Sequence, residues 1–167
     1  MSNEVHHRIR HLNRTFTFDE WAEYCDRTRK DESQRIQTTI GKYTWNDHDI
    51  CINPEEWTIT AKAGAYGYYA TIKWAECGNG VWAFGLDYST GTGGGGFGVW
   101  WADKADIKVS NKGFESEKEC KRFALRYALT RILPFDGNNK MVDRLRAKIQ
   151  EELDKLQKPQ YIQLELF

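Results

Sequence analysis

The sequence predicts an α+β domain: an N-terminal helix, an antiparallel β-meander of four or five strands, and two C-terminal helices, the first packed on the sheet. Three observations predict it. Between residues 57 and 88, three runs alternate apolar residues with polar or small ones, the period of half-buried strands. Thr17 with Glu20, and Ser116 with Glu119, stand at capping-box spacing, which marks two helix starts. Residues 139–157 carry apolar side chains at helical spacing among many charges.

The size suits one domain. The chain has 167 residues, and a domain near that size buries roughly 70% of the surface its unfolded chain exposes. It needs no metal or disulfide to fold. Lys+Arg and Asp+Glu both number 24, so the net charge is zero. That excludes a global pull towards nucleic acid or an anionic membrane and leaves only local patches. Cys25, Cys51, Cys77 and Cys120 are scattered, with no C-x-x-C pair. The N-terminal stretch has no apolar h-region, and no apolar run approaches the ~20 residues that span a bilayer. Together these features point to a cytoplasmic chain with free thiols and no membrane partner.

The elements follow in order. Residues 1–14 are polar and basic, with His6, His7, Arg8, Arg10, His11 and Arg14, and read as a flexible arm. Residues 15–157 read as the single α+β domain, and 158–167 as a docking tail. Thr17 caps a helix from Phe18, in which Trp21, Tyr24 and Cys25 share a face and which fades in the charged run Arg27–Glu32. A first strand is expected over 35–45, then a polar loop over 46–55. Trp57, Ile59 and Ala61 open the meander. Tyr66, Tyr68, Ala70, Ile72 and Trp74 continue it, and Trp82, Phe84, Leu86 and Tyr88 complete it.

Turn chemistry sets the register. Gly78-Asn79-Gly80 suits a three-residue loop with Gly80 left-handed. It places Cys77 opposite Val81, Glu76 by Trp82, Trp74 by Phe84, Ile72 by Leu86 and Ala70 by Tyr88. A two-residue loop would exchange the faces. A turn at Ala63-Gly64 would pair Ile59 with Tyr68 and Trp57 with Ala70. Phe97 to Trp101 offers a fourth strand. Ser116 then starts a helix whose face, Cys120, Phe123, Ala124, Tyr127, Ala128 and Arg131, covers the meander, with Pro134 and Gly137 ending it. The last helix, from about Asn139 to Gln157, carries Val142, Leu145, Ile149, Leu153 and Leu156. Pro159 blocks its continuation.

The most specific motif is Gln163-Leu164-Glu165-Leu166-Phe167. It resembles the short peptide by which bacterial replication and repair proteins dock on the DNA sliding clamp, whose pattern is Gln-Leu, a variable residue, then Leu-Phe. The resemblance covers five residues. It implies that Leu166 and Phe167 fill an apolar pocket on the clamp, that Leu164 packs beside them, and that Gln163 makes polar contacts at a second subsite. It is also the only source of a bacterial, phage or mobile-element context. Adjacent large apolar side chains are the usual anchors of such peptides, and a lone peptide of this size binds at ~µM. Ile162, Leu164 and Leu166 also alternate with Gln163, Glu165 and Phe167, the pattern of a final edge strand on the domain's own sheet.

Other constellations carry less. Gly91, Gly93 and Gly96 spell G-x-G-x-x-G, but a dinucleotide site needs a helix directly after it, and Phe97-Gly98-Val99-Trp100-Trp101 does not start one. The run Gly93–Gly96 therefore reads as a mobile hairpin loop, or as a flap over a partner. Asn46-Asp47-His48-Asp49-Ile50-Cys51 holds possible metal ligands at poor spacing and reads as a solvated loop. Lys118, Arg122 and Arg126 follow at i, i+4, i+8 on one helical face, with Lys121 beside them, and could meet phosphates of DNA or RNA. The stretch from Ser116 to Leu129 is similar to the second helix of double-stranded-RNA-binding domains. It departs from that family in having Glu117-Lys118 where the family has paired lysines, and in lacking the preceding glycine signature.

No acid/base pair or nucleophile stands out. The expectation is therefore a non-enzymatic accessory protein of DNA replication or repair, without cofactor or metal, that is recruited to the clamp or blocks it. Two alternatives stay open. One is a nucleic-acid-binding module using Lys118, Lys121, Arg122 and Arg126. The other is an inhibitor or interaction protein that binds through an aromatic sheet face, whose signature would be exposed tryptophans around Trp100 and Trp101.

Overall fold

A computed structural model describes residues 4–64, 66–103, 109–133 and 139–157. It has the expected α+β architecture. Strand β1 (His7–Ile9) pairs with β2 (Arg14–Phe16), and helix α1 (Phe18–Lys30) follows. A second hairpin, β3 (Gln37–Ile40) with β4 (Tyr43–Asn46), precedes the main sheet. That sheet is antiparallel, in the order β5 (Glu55–Thr60), β6 (Tyr68–Glu76), β7 (Trp82–Thr90) and β8 (Gly94–Phe97). Helices α2 (Glu117–Arg131) and α3 (Lys140–Gln157) close the chain's described part. Among the described residues no helix is long and apolar enough to cross a membrane.

Helix α1 starts where its cap dictates. The Thr17 hydroxyl accepts the Glu20 N–H, and the Glu20 carboxylate accepts the Thr17 N–H at 2.8 Å. Ser116 accepts the Glu119 N–H in the same way at α2. Asn139 Oδ1 accepts the Met141 N–H at 3.1 Å at the head of α3.

The β6–β7 register is the one the glycine loop specifies. Glu76 faces Trp82, Trp74 faces Phe84, Ile72 faces Leu86 and Ala70 faces Tyr88, and the Cys77 N–H donates to the Val81 carbonyl at 2.8 Å. The β5–β6 pairing differs by two residues, with Ile59 opposite Ala70 and Trp57 opposite Ile72. The chain turns later than Ala63-Gly64, because the Ala61 N–H still donates to Tyr68. A two-residue shift keeps every side chain on its face, so the buried face is unchanged.

That face makes the larger core. Ile59, Ala70, Ile72, Phe84 and Leu86 pack against Cys120, Ala124, Leu125 and Ala128 of α2 and against Val142, Leu145, Ile149 and Leu153 of α3. Phe84 sits edge-on to Phe123 and Tyr127 at 5.3 and 5.8 Å. A smaller core covers one end of the opposite face, where Ala75, Ala83 and Val81 meet Tyr43, Trp45, Val99 and Ala102.

Three further expectations are corrected. Residues 35–45 do not extend as one strand of the meander. They fold back at Gly41, whose φ is +61°, into a separate hairpin, and the main sheet keeps four strands. The arm is not loose from residue 7 onward: it pairs as β1–β2, with Ile9 fully buried and the Arg14 guanidinium over the Phe16 ring. The glycine run is not a hairpin loop either, because Gly94–Gly96 form β8 against β7. Side chains there would collide with β7: a β-carbon at Gly94 would stand 2.5 Å from the Tyr88 carbonyl oxygen, and one at Gly96 would overlap the Asp87 carboxylate.

Candidate functional site

Gln163, Leu164, Leu166 and Phe167 lie outside the described residues. The basic row does not, and the structure divides it. Lys118 is exposed at the start of α2. Lys121 turns away from it: its ammonium pairs with Glu117 and lies 4.2 Å over the Trp74 ring, leaving the side chain 23% exposed. An i, i+4 pair of this kind is worth only a few tenths of a kcal/mol, but it commits Lys121 to its own helix and sheet. Arg122 and Arg126 point the other way and line a recess of about 300 Å³ with Phe114, Phe123 and Glu119.

Lys112 joins them there. Phe114 exchanges both backbone hydrogen bonds with Trp82, at 2.8 and 2.9 Å, which lays the segment before α2 along the start of β7. The Lys112 ammonium then sits 4.7 Å over the Phe123 ring and 5.8 Å over Phe114, a cation–π arrangement. Helical spacing could not reveal Lys112, because it reaches the row through a strand pairing rather than through α2. Arg122 Nε is buried and has no hydrogen-bond partner among the described residues.

The Asn46–Cys51 segment is not a solvated loop. Asp47 and Asp49 are buried, as is Cys51, because each carboxylate finds donors. Asp47 accepts the Tyr24 hydroxyl at 2.7 Å and the Arg35 guanidinium at 3.1 Å. Asp49 accepts the Arg10 N–H at 2.8 Å, the His11 N–H at 3.1 Å and an N–H of the buried His11 ring, Nδ1 to Oδ1 2.7 Å. The Asn46 side chain shapes the turn by accepting the His48 and Ile50 N–H groups at 2.9 and 3.0 Å. His7 donates to the Asp47 carbonyl at 2.9 Å and stacks on Trp21, ring centroids 3.7 Å apart. His48 Nε2 stands 3.8 Å from Asp47 Oδ1 and is half exposed. The two carboxylates thus serve different neighbours. They hold the N-terminal hairpin, α1 and β4 together instead of converging on one point. No group of three metal-ligating side chains occurs among the described residues.

The tryptophans are consumed by packing. None of the seven is exposed. Trp101 donates its Nε1–H to the Cys77 carbonyl at 3.3 Å and carries the Arg10 guanidinium over its ring. The aromatic-face alternative therefore lacks its signature. Comparison with known protein families, curated proteins and solved structures finds no match to this chain.

Proposed function

We propose that this chain is a non-enzymatic accessory protein of bacterial or phage DNA metabolism that docks on the DNA sliding clamp through Gln163-Leu164-Glu165-Leu166-Phe167. The pentapeptide carries this reading, since four of its residues match the clamp-binding pattern. In this reading Leu166 and Phe167 anchor the peptide, Leu164 packs beside them and Gln163 makes the polar contact. The test is titration of the full chain, and of a Leu166→Ala/Phe167→Ala variant, onto a bacterial sliding clamp. Binding at ~µM is expected for a linear peptide of this size and is lost in the variant. An intact chain that leaves the clamp unbound ends the proposal.

A second reading has its own observation. Lys112, Arg122 and Arg126 converge beside Phe114 and Phe123, and a cluster of cations suits the phosphates of a nucleic acid. The body would then touch DNA or RNA while the pentapeptide holds the clamp. Binding to a single-stranded oligonucleotide should weaken steeply with salt and fall on Arg122→Glu/Arg126→Glu. Absence of binding at low salt removes this reading.

A further inference from the structure

The outer edge of the main sheet is a strand nearly without side chains. Gly94, Gly95 and Gly96 of β8 are all exposed. The Thr90 N–H donates to the Gly93 carbonyl at 2.7 Å. Antiparallel hydrogen bonding alternates from that pair, so residues 95 and 97 spend their backbone groups on β7. The N–H and C=O groups of Gly94 and Gly96 then face outward. An edge of this kind is normally blunted by lysine, proline or a bulge. β8 carries none of these.

Beside this edge runs a groove in two compartments. One, of about 160 Å³, is lined by Leu86, Tyr88, Phe97, Tyr127 and Arg131 together with the glycines. The other, of about 220 Å³, continues past Thr90 to Leu133 and Val142. Leu133 is 66% exposed, one of the few large apolar side chains so open. Arg131 is the only charged residue among the described residues that line either compartment. It is exposed and has no ion-pair partner among the described residues. The site thus offers outward-facing backbone, a trough lined by aliphatic and aromatic side chains, and the Arg131 cation.

We propose that β8 accepts, as a fifth strand, an extended segment of a partner protein that carries a large apolar side chain and a carboxylate two residues apart. Alternate residues of a strand share a face, roughly 7 Å apart. One side chain therefore fills the trough while the next on that face meets Arg131. This is strand addition, in which main-chain bonds supply affinity and alternate side chains supply specificity. A second copy of this chain fits less well, because its own β8 would bring glycines that leave the trough empty and Arg131 uncompensated.

The probe is an acetylated and amidated heptapeptide, Thr-Val-Thr-Leu-Thr-Glu-Thr, with a counterpart carrying Lys in place of Glu. Both are titrated onto the full-length, ¹⁵N-labelled chain. The Glu peptide is expected to shift the amides of Gly94 and Gly96 with a Kd of ~10–500 µM, the range open to a short flexible segment. Arg131→Glu is expected to weaken the Glu peptide about tenfold and to reverse the preference in favour of the Lys peptide. Gly95→Val places a side chain in the trough, its β-carbon 3.2 Å from the Tyr88 hydroxyl, and should abolish binding. Arg131→Glu changes only an exposed side chain, so it keeps the test decisive if Gly95→Val fails to fold. No shift at Gly94 and Gly96 at millimolar peptide overturns the proposal, as does a charge preference that Arg131→Glu leaves unchanged. A dimer that Gly95→Val dissociates and the peptide cannot disperse would assign the edge to a second copy and also overturn it.

Discussion

The Tyr24 hydroxyl donates to Asp47 at 2.7 Å while accepting the Ile36 N–H at 2.8 Å, so one oxygen of α1 bridges the polar turn and the strand hairpin. Tyr24→Phe removes both bonds and leaves a buried carboxylate with one donor fewer. Losing a buried partner costs about 1–3 kcal/mol. The urea midpoint of Tyr24→Phe should fall accordingly. In a double-mutant cycle with Asp47→Asn the coupling should exceed about 0.5 kcal/mol. Additive losses would mean that the two groups act independently.

Alkaline pH should unfold the protein earlier than an ordinary tyrosine content implies. Burial, then the nearby Glu55 carboxylate, push the Tyr43 hydroxyl up to about 12, and burial raises Tyr24 as well. A folded value above the unfolded one means that the folded state holds its proton more tightly. The contribution is complete below pH 10 and is lost as pH rises towards 12. The urea midpoint should therefore drop across that window. Tyr43→Phe should flatten the drop, and an identical profile in that variant would contradict the assignment.

The four thiols should react unequally. Burial pushes Cys51 up to about 11 and Cys77 up to about 12, and raises Cys120 too, while Cys25 is partly exposed. The thiolate is the reactive species. At pH 8 a disulfide reagent should modify Cys25 alone in the native protein, and all four thiols in denaturant. Fast reaction of a second native thiol would show that one of the cores opens.

How much of this was legible in the residues depended on range. The β6–β7 pairing could be read because Gly78-Asn79-Gly80 sets it locally. The β5–β6 register differs by two residues from the one expected because no comparably strict turn signal lies between Ala61 and Tyr68. The buried turn at Asp47 and Asp49 reads as solvated from its own residues because its donors, Tyr24, Arg35 and His11, come from three other segments. Lys112 escapes helical spacing for the same reason. The glycine run reads as a loop because a strand without side chains has no alternation to detect.

Glycines of that region should differ sharply in what they tolerate. After β8 the chain crosses the outer face of the sheet above Gly85, where a β-carbon would stand 2.8 Å from the Phe97 carbonyl oxygen and 3.0 Å from the Val99 nitrogen. Those neighbours are backbone and cannot rotate aside, so Gly85→Ala must move the crossing and with it Val99 of the smaller core. Overpacking of this kind costs about 1–3 kcal/mol. At Gly95 the nearest atom is the Tyr88 hydroxyl, 3.2 Å away at the far end of a side chain, so Gly95→Ala should be milder. Thermal midpoints of the two variants decide the matter: Gly85→Ala should melt several degrees below Gly95→Ala. Equal midpoints would mean that the crossing over Gly85 is looser than its contacts imply.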